Sequence, residues 1–244
     1  MPEHAVVSQS EWLEARKALL LKEKALTRQR DELCKERRDL PWVKVDKDYT
    51  FDGPNGPETL SDLFAGRNQL IVYHFMFAPG WAEGCPGCSF LADHFDGANL
   101  HVPHGGATFV VVSRAPYAEL VPFKQRMGWK FKWVSANGSD FNIDYQASFT
   151  EESLAQGVNT YNYEELPEKK PGECPGTSVF YKDEAGDIYH TYSTYTRGIE
   201  SAIGAFMLLD LTPLGRNEGT IMDWMRHHDK YENTACATHD CCCE

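Results

Sequence analysis
Apolar and polar positions fall into distinct registers along the chain, and the registers predict its elements. From Ser8 or Ser10 to Leu40 the pattern is helical: Trp12, Leu19, Leu26, Leu33 and Leu40 recur every seven residues among mixed charges. The intervening positions are mostly polar, which suits a helix laid across a domain by a narrow stripe better than the arm of a homodimer. Pro41-Trp42 ends it. Val43–Val45 and Tyr49–Phe51 read as short strands, and 59–64 as a turn of helix. Leu70–Phe77 is a continuous β-branched and aromatic run, the signature of a buried central strand. After Pro86, the residues Phe90, Leu91 and Phe95 return at helical spacing.

Thr108–Val112 predicts a second strand, parallel to the first. Pro116 opens a helix to Met127 with Gly128 as its stop, and Pro122 is expected to bend or divide it. Trp129–Ser135 alternates aromatic and polar residues like a half-exposed strand. Residues 138–145 predict loop or irregular helix, and 150–175 carry no clear period. Thr177–Lys182 and Ile188–Tyr195, joined at Gly186-Asp187, predict a hairpin. Ile199–Leu211 predicts an apolar helix, and 221–231 a shorter one carrying His227-His228. Parallel strand–helix units followed by a hairpin and a closing helix imply a mixed sheet covered on both faces.

The chemistry gathers at one junction. Cys85-Pro86-Gly87-Cys88 lies where the central strand ends and a helix begins. Proline suits the first helical position, so Cys85 becomes the N-cap. Its sulfur then meets free N–H groups and the positive end of the helix dipole, which favour thiolate. Cys88, one turn inward, is placed to attack a mixed disulfide formed at Cys85. The competing reading, half of a zinc site, lacks a second CxxC or HxxxH partner.

The chain has 244 residues, a formal net charge of −12 and eight cysteines. The charge argues against a general nucleic-acid surface. No segment is long and apolar enough for a bilayer, and the first residues do not form a signal peptide. The expectation is a cytoplasmic protein without membrane or nucleic-acid partners, whose disulfides are transient. A tail with Cys236, His239 and Cys241–Cys243 is rich in soft ligands and suits Zn²⁺, Cu(I) or a heavy metal, although vicinal cysteines do not readily make one site.

Three stretches carry a family resemblance: Gly84-Cys85-Pro86-Gly87-Cys88-Ser89; Gly128-Trp129 with Phe141-Asn142-x-Asp144-Tyr145; and 190–198, from His190 to Arg197-Gly198. They resemble a bacterial family of unknown function described as predicted dithiol–disulfide oxidoreductases, over about residues 8–231. The element order is similar to the thioredoxin fold, and the strand at 129–135 to its peroxiredoxin branch. The resemblance implies an α/β fold: a thioredoxin-like mixed central sheet flanked by helices, with a long N-terminal helix and a flexible C-terminal tail. It divides the chain into an extension at 1–41, a thioredoxin-like domain at 42–231 and a disordered Cys-rich tail at 232–244.

The implied activity is thiol–disulfide exchange, with Cys85 and Cys88 catalytic, no cofactor, no resident metal, and an external thiol reductant or disulfide substrate as partner. Trp81, Pro86, Thr177, His190 and Arg197 are the candidate surroundings of the thiolate, with Cys174 a possible accessory thiol. Trp81 is the candidate aromatic wall. Thr177 stands near the place where thioredoxins carry a cis-proline. His190 and Arg197 are candidates to face the cysteine helix. Glu83 and Asp93 flank the pair as candidate proton relays, with surface charge the more ordinary reading, and His74 reads as a hydrogen-bonded core residue. Ala82 stands where peroxiredoxins carry threonine, which counts against efficient peroxide reduction. The alternatives are a metal- or metalloid-binding protein using the pair and the tail, a peroxiredoxin-like peroxide reductase, and a non-catalytic thioredoxin-like interaction domain.

Overall fold
The computed structural model describes residues 4–232. The Cys-rich tail, including Cys236 and Cys241–Cys243, lies outside the described residues. The chain divides into two units, Met1–Trp42 and Val43–Glu244. The first unit is dominated by one helix, α1 (Gln9–Arg38), with Ser8 as its cap. The Ser8 hydroxyl accepts from the Glu11 amide while the Glu11 carboxylate accepts from the Ser8 amide, a reciprocal capping box. Lys35, Arg37 and Arg38 complement the dipole at its other end.

The second unit opens with strands β1 (Val43–Lys44), β2 (Thr50–Gly53) and β3 (Gly56–Thr59), then helix α2 (Leu60–Leu63). Strand β4 (Gln69–His74) follows, then α3 (Pro86–Ala98), β5 (Ala107–Ser113), α4 (Tyr117–Met127) and β6 (Lys132–Ser135). The span read as aperiodic holds short pieces: α5 (Phe141–Asp144), β7 (Ser148–Phe149), α6 (Glu151–Ala155), β8 (Thr160–Tyr161), β9 (Glu164–Glu165) and β10 (Gly172–Glu173). The chain closes with β11 (Gly176–Lys182), β12 (Ile188–Tyr195) and α7 (Gly204–Leu209).

Eight strands form one sheet in the order β1-β12-β11-β4-β5-β6-β2-β3. β4, β5 and β6 are parallel, and β11 runs antiparallel to β4 and to β12. A hairpin lying beside the first strand of a parallel βαβ unit is the thioredoxin arrangement. The central strands are covered on both faces, which explains their unbroken apolar runs. One face carries Tyr73, Phe75, Phe109 and Val111 beneath α3 and α4; the other carries Leu70, Val72, Val110 and Val112 beneath α2 and α5.

Several local expectations change. Trp129–Ser135 is not half exposed: Trp129, Phe131 and Trp133 are buried in a cluster with Phe75 and Phe123, and Lys132 at the rim pairs with Glu58. α4 runs unbroken through Pro122, because burial of Leu120, Phe123 and Met127 outweighs one missing backbone bond. The two apolar helices expected at the end are largely absent. Thr196–Ala202 is a 3-10 stretch, α7 has six residues, and the rest is irregular apart from a 3-10 turn at His228–Lys230, with left-handed backbone at Asn217 and Met222. That irregular segment, residues 210–232, forms a strap. His227 Nε2 donates to Gly84 O at 2.8 Å, Lys230 pairs with Glu83 at 2.6 Å and Arg126 with Asp229 at 2.7 Å.

Candidate active site
β4 points the chain out of the sheet toward Cys85, and Pro86 starts α3 with Cys85 at its N-cap. The loop is pinned from both sides. Cys85 N–H donates to Met76 O at 3.1 Å, and the Gly84 carbonyl is held by His227. Gly84 has no room for a side chain, since a Cβ there would lie 2.5 Å from the Phe75 ring. Packing therefore fixes where the first cysteine emerges.

The two thiols are free and differ in environment. Cys85 is half-buried and its pKa falls from 9.0 to about 6. The leading cause is the adjacent Cys88 thiol, which stabilises the Cys85 thiolate; the amides of Cys88 and Gly87 add to it, against burial. The helix terminus is thus a secondary contributor, and no amide makes a cap hydrogen bond of full geometry to the sulfur. Cys88 is 3% exposed. Burial and the neighbouring Cys85 push its pKa well above the usual thiol value, opposed by the Tyr73 hydroxyl and by the Met76 N–H at 3.5 Å from its sulfur. The Tyr73 hydroxyl, also buried, finds no hydrogen-bond partner of full geometry among the described residues.

Both sulfurs border a cavity of about 360 Å³ between α3, the end of β12, the 3-10 stretch and the strap. Arg197 lines it, beside Glu200, to which it is paired at 2.9 Å. Pro175 and Gly176 reach it too, whereas Thr177 sits just behind, opposite Tyr73 in the β11–β4 register. Thr177 is buried, and its hydroxyl also lacks a partner among the described residues. Pro86 serves as the first residue of α3 rather than as a wall of the cavity.

Three candidates are not brought to the cavity. Trp81 is 40% exposed and does not line it, so it is no aromatic wall beside Cys85. His190 lies on the opposite face of the sheet. A bulge between Val179 and Phe180 shifts the pairing so that Phe180 faces His190, and the shift turns the histidine away from α3. Cys174 lies off the cavity wall, and burial pushes its pKa up to about 11, which leaves a poor nucleophile near neutrality. Glu83 and Asp93 are structural: Glu83 holds Arg126 and Lys230, while Asp93 accepts from Trp129 Nε1 at 2.7 Å and from His228 at 2.8 Å.

Tyr73 and the strap residues Ile221 and Met222 were not singled out by the sequence, yet they line the site. Tyr73 follows from strand alternation once β4 is placed: two residues before Phe75, it shares that residue's face. The strap residues carried no such signal. Among the described residues no three His, Cys, Asp or Glu side chains gather as a metal-holding group, and no helix is long and apolar enough to cross a membrane.

A family described as "Bacterial protein of unknown function (DUF899)" matches residues 1–231. A comparison with curated protein sequences found no match. Among solved structures the chain is similar to peroxidoxin BcpB from Mycobacterium tuberculosis, with 15% identity and a TM-score of 0.46 over 70% of this chain and 97% of that one. It is similar to the bacterioferritin comigratory protein of Xanthomonas campestris, with 14% identity and a TM-score of 0.46 over 70% and 96% of the two chains. It is also similar to the mitochondrial 2-cys peroxiredoxin from Plasmodium falciparum, with 12% identity and a TM-score of 0.41 over 69% and 92%.

Proposed function
We propose that this chain, which belongs to the bacterial family of unknown function just described, is a thiol–disulfide oxidoreductase with Cys85 as nucleophile and Cys88 as resolving thiol. The observation that carries the reading is the asymmetry of the pair: Cys85 has a pKa of about 6 on a cavity wall, and Cys88 is a buried, protonated thiol beside it. At neutral pH roughly nine-tenths of Cys85 is thiolate, against about one-hundredth for a thiol of pKa 9.

Cys85 Sγ attacks one sulfur of a disulfide and expels the other as thiolate, leaving a mixed disulfide. That step removes the charge that keeps Cys88 protonated. The Tyr73 hydroxyl and the Met76 N–H then favour the Cys88 thiolate, which attacks Cys85 Sγ and releases the second thiolate. An external dithiol, as in a reducing cytoplasm, restores the pair. Peroxide reduction is less well supported, because polarising an O–O bond needs donors at the sulfur, and the one cationic side chain on this wall among the described residues, Arg197, is engaged with Glu200.

The test is mass spectrometry of alkylated thiols after equilibration across a range of redox potentials. Cys85 and Cys88 should become protected together at one midpoint. In Cys85→Ser, reduction of a model disulfide should fall to the uncatalysed background. A folded protein whose Cys85 and Cys88 stay alkylatable at every potential would sink the proposal.

A further inference from the structure
The walls of the cavity at Cys85 say what kind of disulfide it admits. Leu91, Ile199, Ile203, Phe206, Ile221 and Met222 contribute apolar side chains to the lining. Besides the Cys85 thiolate, the only charged side chains on it among the described residues are Arg197 and Glu200; Glu200 pairs with Arg197 at 2.9 Å and also with Arg216, whose charge Asp210 balances at 2.8 Å. The strap closes over the sulfur. A Cβ on Gly87 would meet the Met222 methyl at 2.8 Å and lie 3.8 Å from Cys85 Sγ, so Met222 stands directly beside the CxxC turn. The strap is fastened there by the buried His227 on Gly84 and by the Glu83–Lys230 and Arg126–Asp229 ion pairs.

We propose that the substrate is a small organic disulfide carrying an apolar alkyl or aryl group, which the cavity between α3 and the strap takes up beside Cys85. This rests on the oxidoreductase reading and deepens it. A chamber of about 360 Å³ matches a small-molecule site. It is too small for a folded protein's cystine, and apart from the Cys85 thiolate, whose charge is consumed in the first exchange step, it offers no unpaired charge to a disulfide bearing ammonium or carboxylate groups, whose burial is therefore opposed. The balance is simple. RS–SR accepts two electrons from the Cys85/Cys88 dithiol; one RS⁻ leaves on formation of Cys85–S–S–R and the second on closure of the Cys85–Cys88 disulfide. Both thiolates take up the protons lost by the two cysteines.

The test uses the pre-reduced full chain and follows loss of its alkylatable thiols with dimethyl, diethyl and dipropyl disulfide, with cystamine, and with insulin. Each small-disulfide rate is divided by that disulfide's rate with free dithiothreitol. Each buried methylene gives about a fourfold gain, and dipropyl disulfide carries two more methylenes on each arm than dimethyl disulfide, so with one arm in the cavity it should exceed dimethyl disulfide about fifteenfold. Cystamine and insulin should lie below dipropyl disulfide by tenfold or more. Met222→Glu and Ile221→Glu should each flatten the alkyl series. A flat series in the wild type, preference for insulin or cystamine, or an unchanged slope in both variants overturns the proposal. Oxidation of Cys85 and Cys88 by insulin alone would keep the oxidoreductase reading and remove this substrate class; oxidation by no disulfide removes both.

Discussion
The two faces of the central sheet treat their titratable groups in opposite ways. Beneath α2 and α5, every polar group of one chain of contacts is satisfied. His190 Nε2 donates to Ser193, Ser193 to Ser178, and Ser178 to His74 Nε2, while His74 Nδ1 donates to Asn142 Oδ1, at 2.7 to 3.0 Å. With the amide oxygen as last acceptor and His74 Nε2 accepting from Ser178, the chain requires a neutral His74, whereas His190 takes part only as a donor. Burial agrees, lowering His74 to about 4 and His190 in the same direction. Beneath α3, two residues of the adjoining strands, Tyr73 and Thr177, keep hydroxyls without a partner of full geometry, and two thiols share one charge between them. A satisfied network holds its groups in one protonation state and serves the fold. One with unpartnered hydroxyls leaves a thiol whose pKa falls.

The largest effect that sharpens this contrast comes at Cys88. Cys88→Ala removes the leading cause of the low Cys85 pKa, so the midpoint of the rise in Cys85 alkylation with pH should move from about 6 toward the ordinary thiol range. Cys88→Ser retains a hydroxyl donor and should shift it less. Both should abolish turnover and accumulate a mixed disulfide visible by intact mass. An unchanged midpoint in Cys88→Ala would transfer the effect to the helix amides and break the argument.

His74 is next. Above pH 6.5 the imidazole is neutral in both folded and unfolded chains, so its full contribution to stability is present there. As pH falls, the unfolded chain binds a proton that the native one refuses until about pH 4. Native stability should therefore drop by about 2 kcal/mol between pH 7 and pH 5 from this residue alone. His74→Gln should remove that slope while costing about 2–4 kcal/mol at pH 7, read from urea unfolding at both pH values. The Cys85 alkylation midpoint should stay near 6, since the two groups lie on opposite faces.

The smallest effect belongs to Tyr73→Phe. It deletes one buried hydroxyl that has no full hydrogen bond to lose, so stability should change by less than about 1 kcal/mol. Resolution of a preformed Cys85 mixed disulfide should slow roughly three- to tenfold, because one of two donors to the Cys88 thiolate is gone. Stopped-flow release of the second thiol measures it. Equal rates would make Tyr73 a packing residue only.

Local signals were enough for the centre of the site. An apolar β-branched run, a proline and apolar residues at helical spacing place Cys85 at the start of α3 without help from the rest of the chain. They failed where a distant contact decides. Alternation along β12 turns His190 toward α3, but one bulge in the hairpin reverses it. Apolar residues near the end read as helix, yet Gly215, Gly219 and left-handed Asn217 and Met222 break the period, and the strap is held by partners more than a hundred residues away.

What the sequence by itself determined was the order of the central elements, β4, α3, β5, α4 and β6 with the β11–β12 hairpin, and the seat of Cys85, because each depends on neighbours within a few positions. Only the tertiary structure decided the company that cysteine keeps. The cavity wall, the strap over Gly87 and the face to which each strand residue points arise from pairings between distant segments, and burial, which sets both the acidity of the thiols and the polarity of the chamber, exists only once those segments meet.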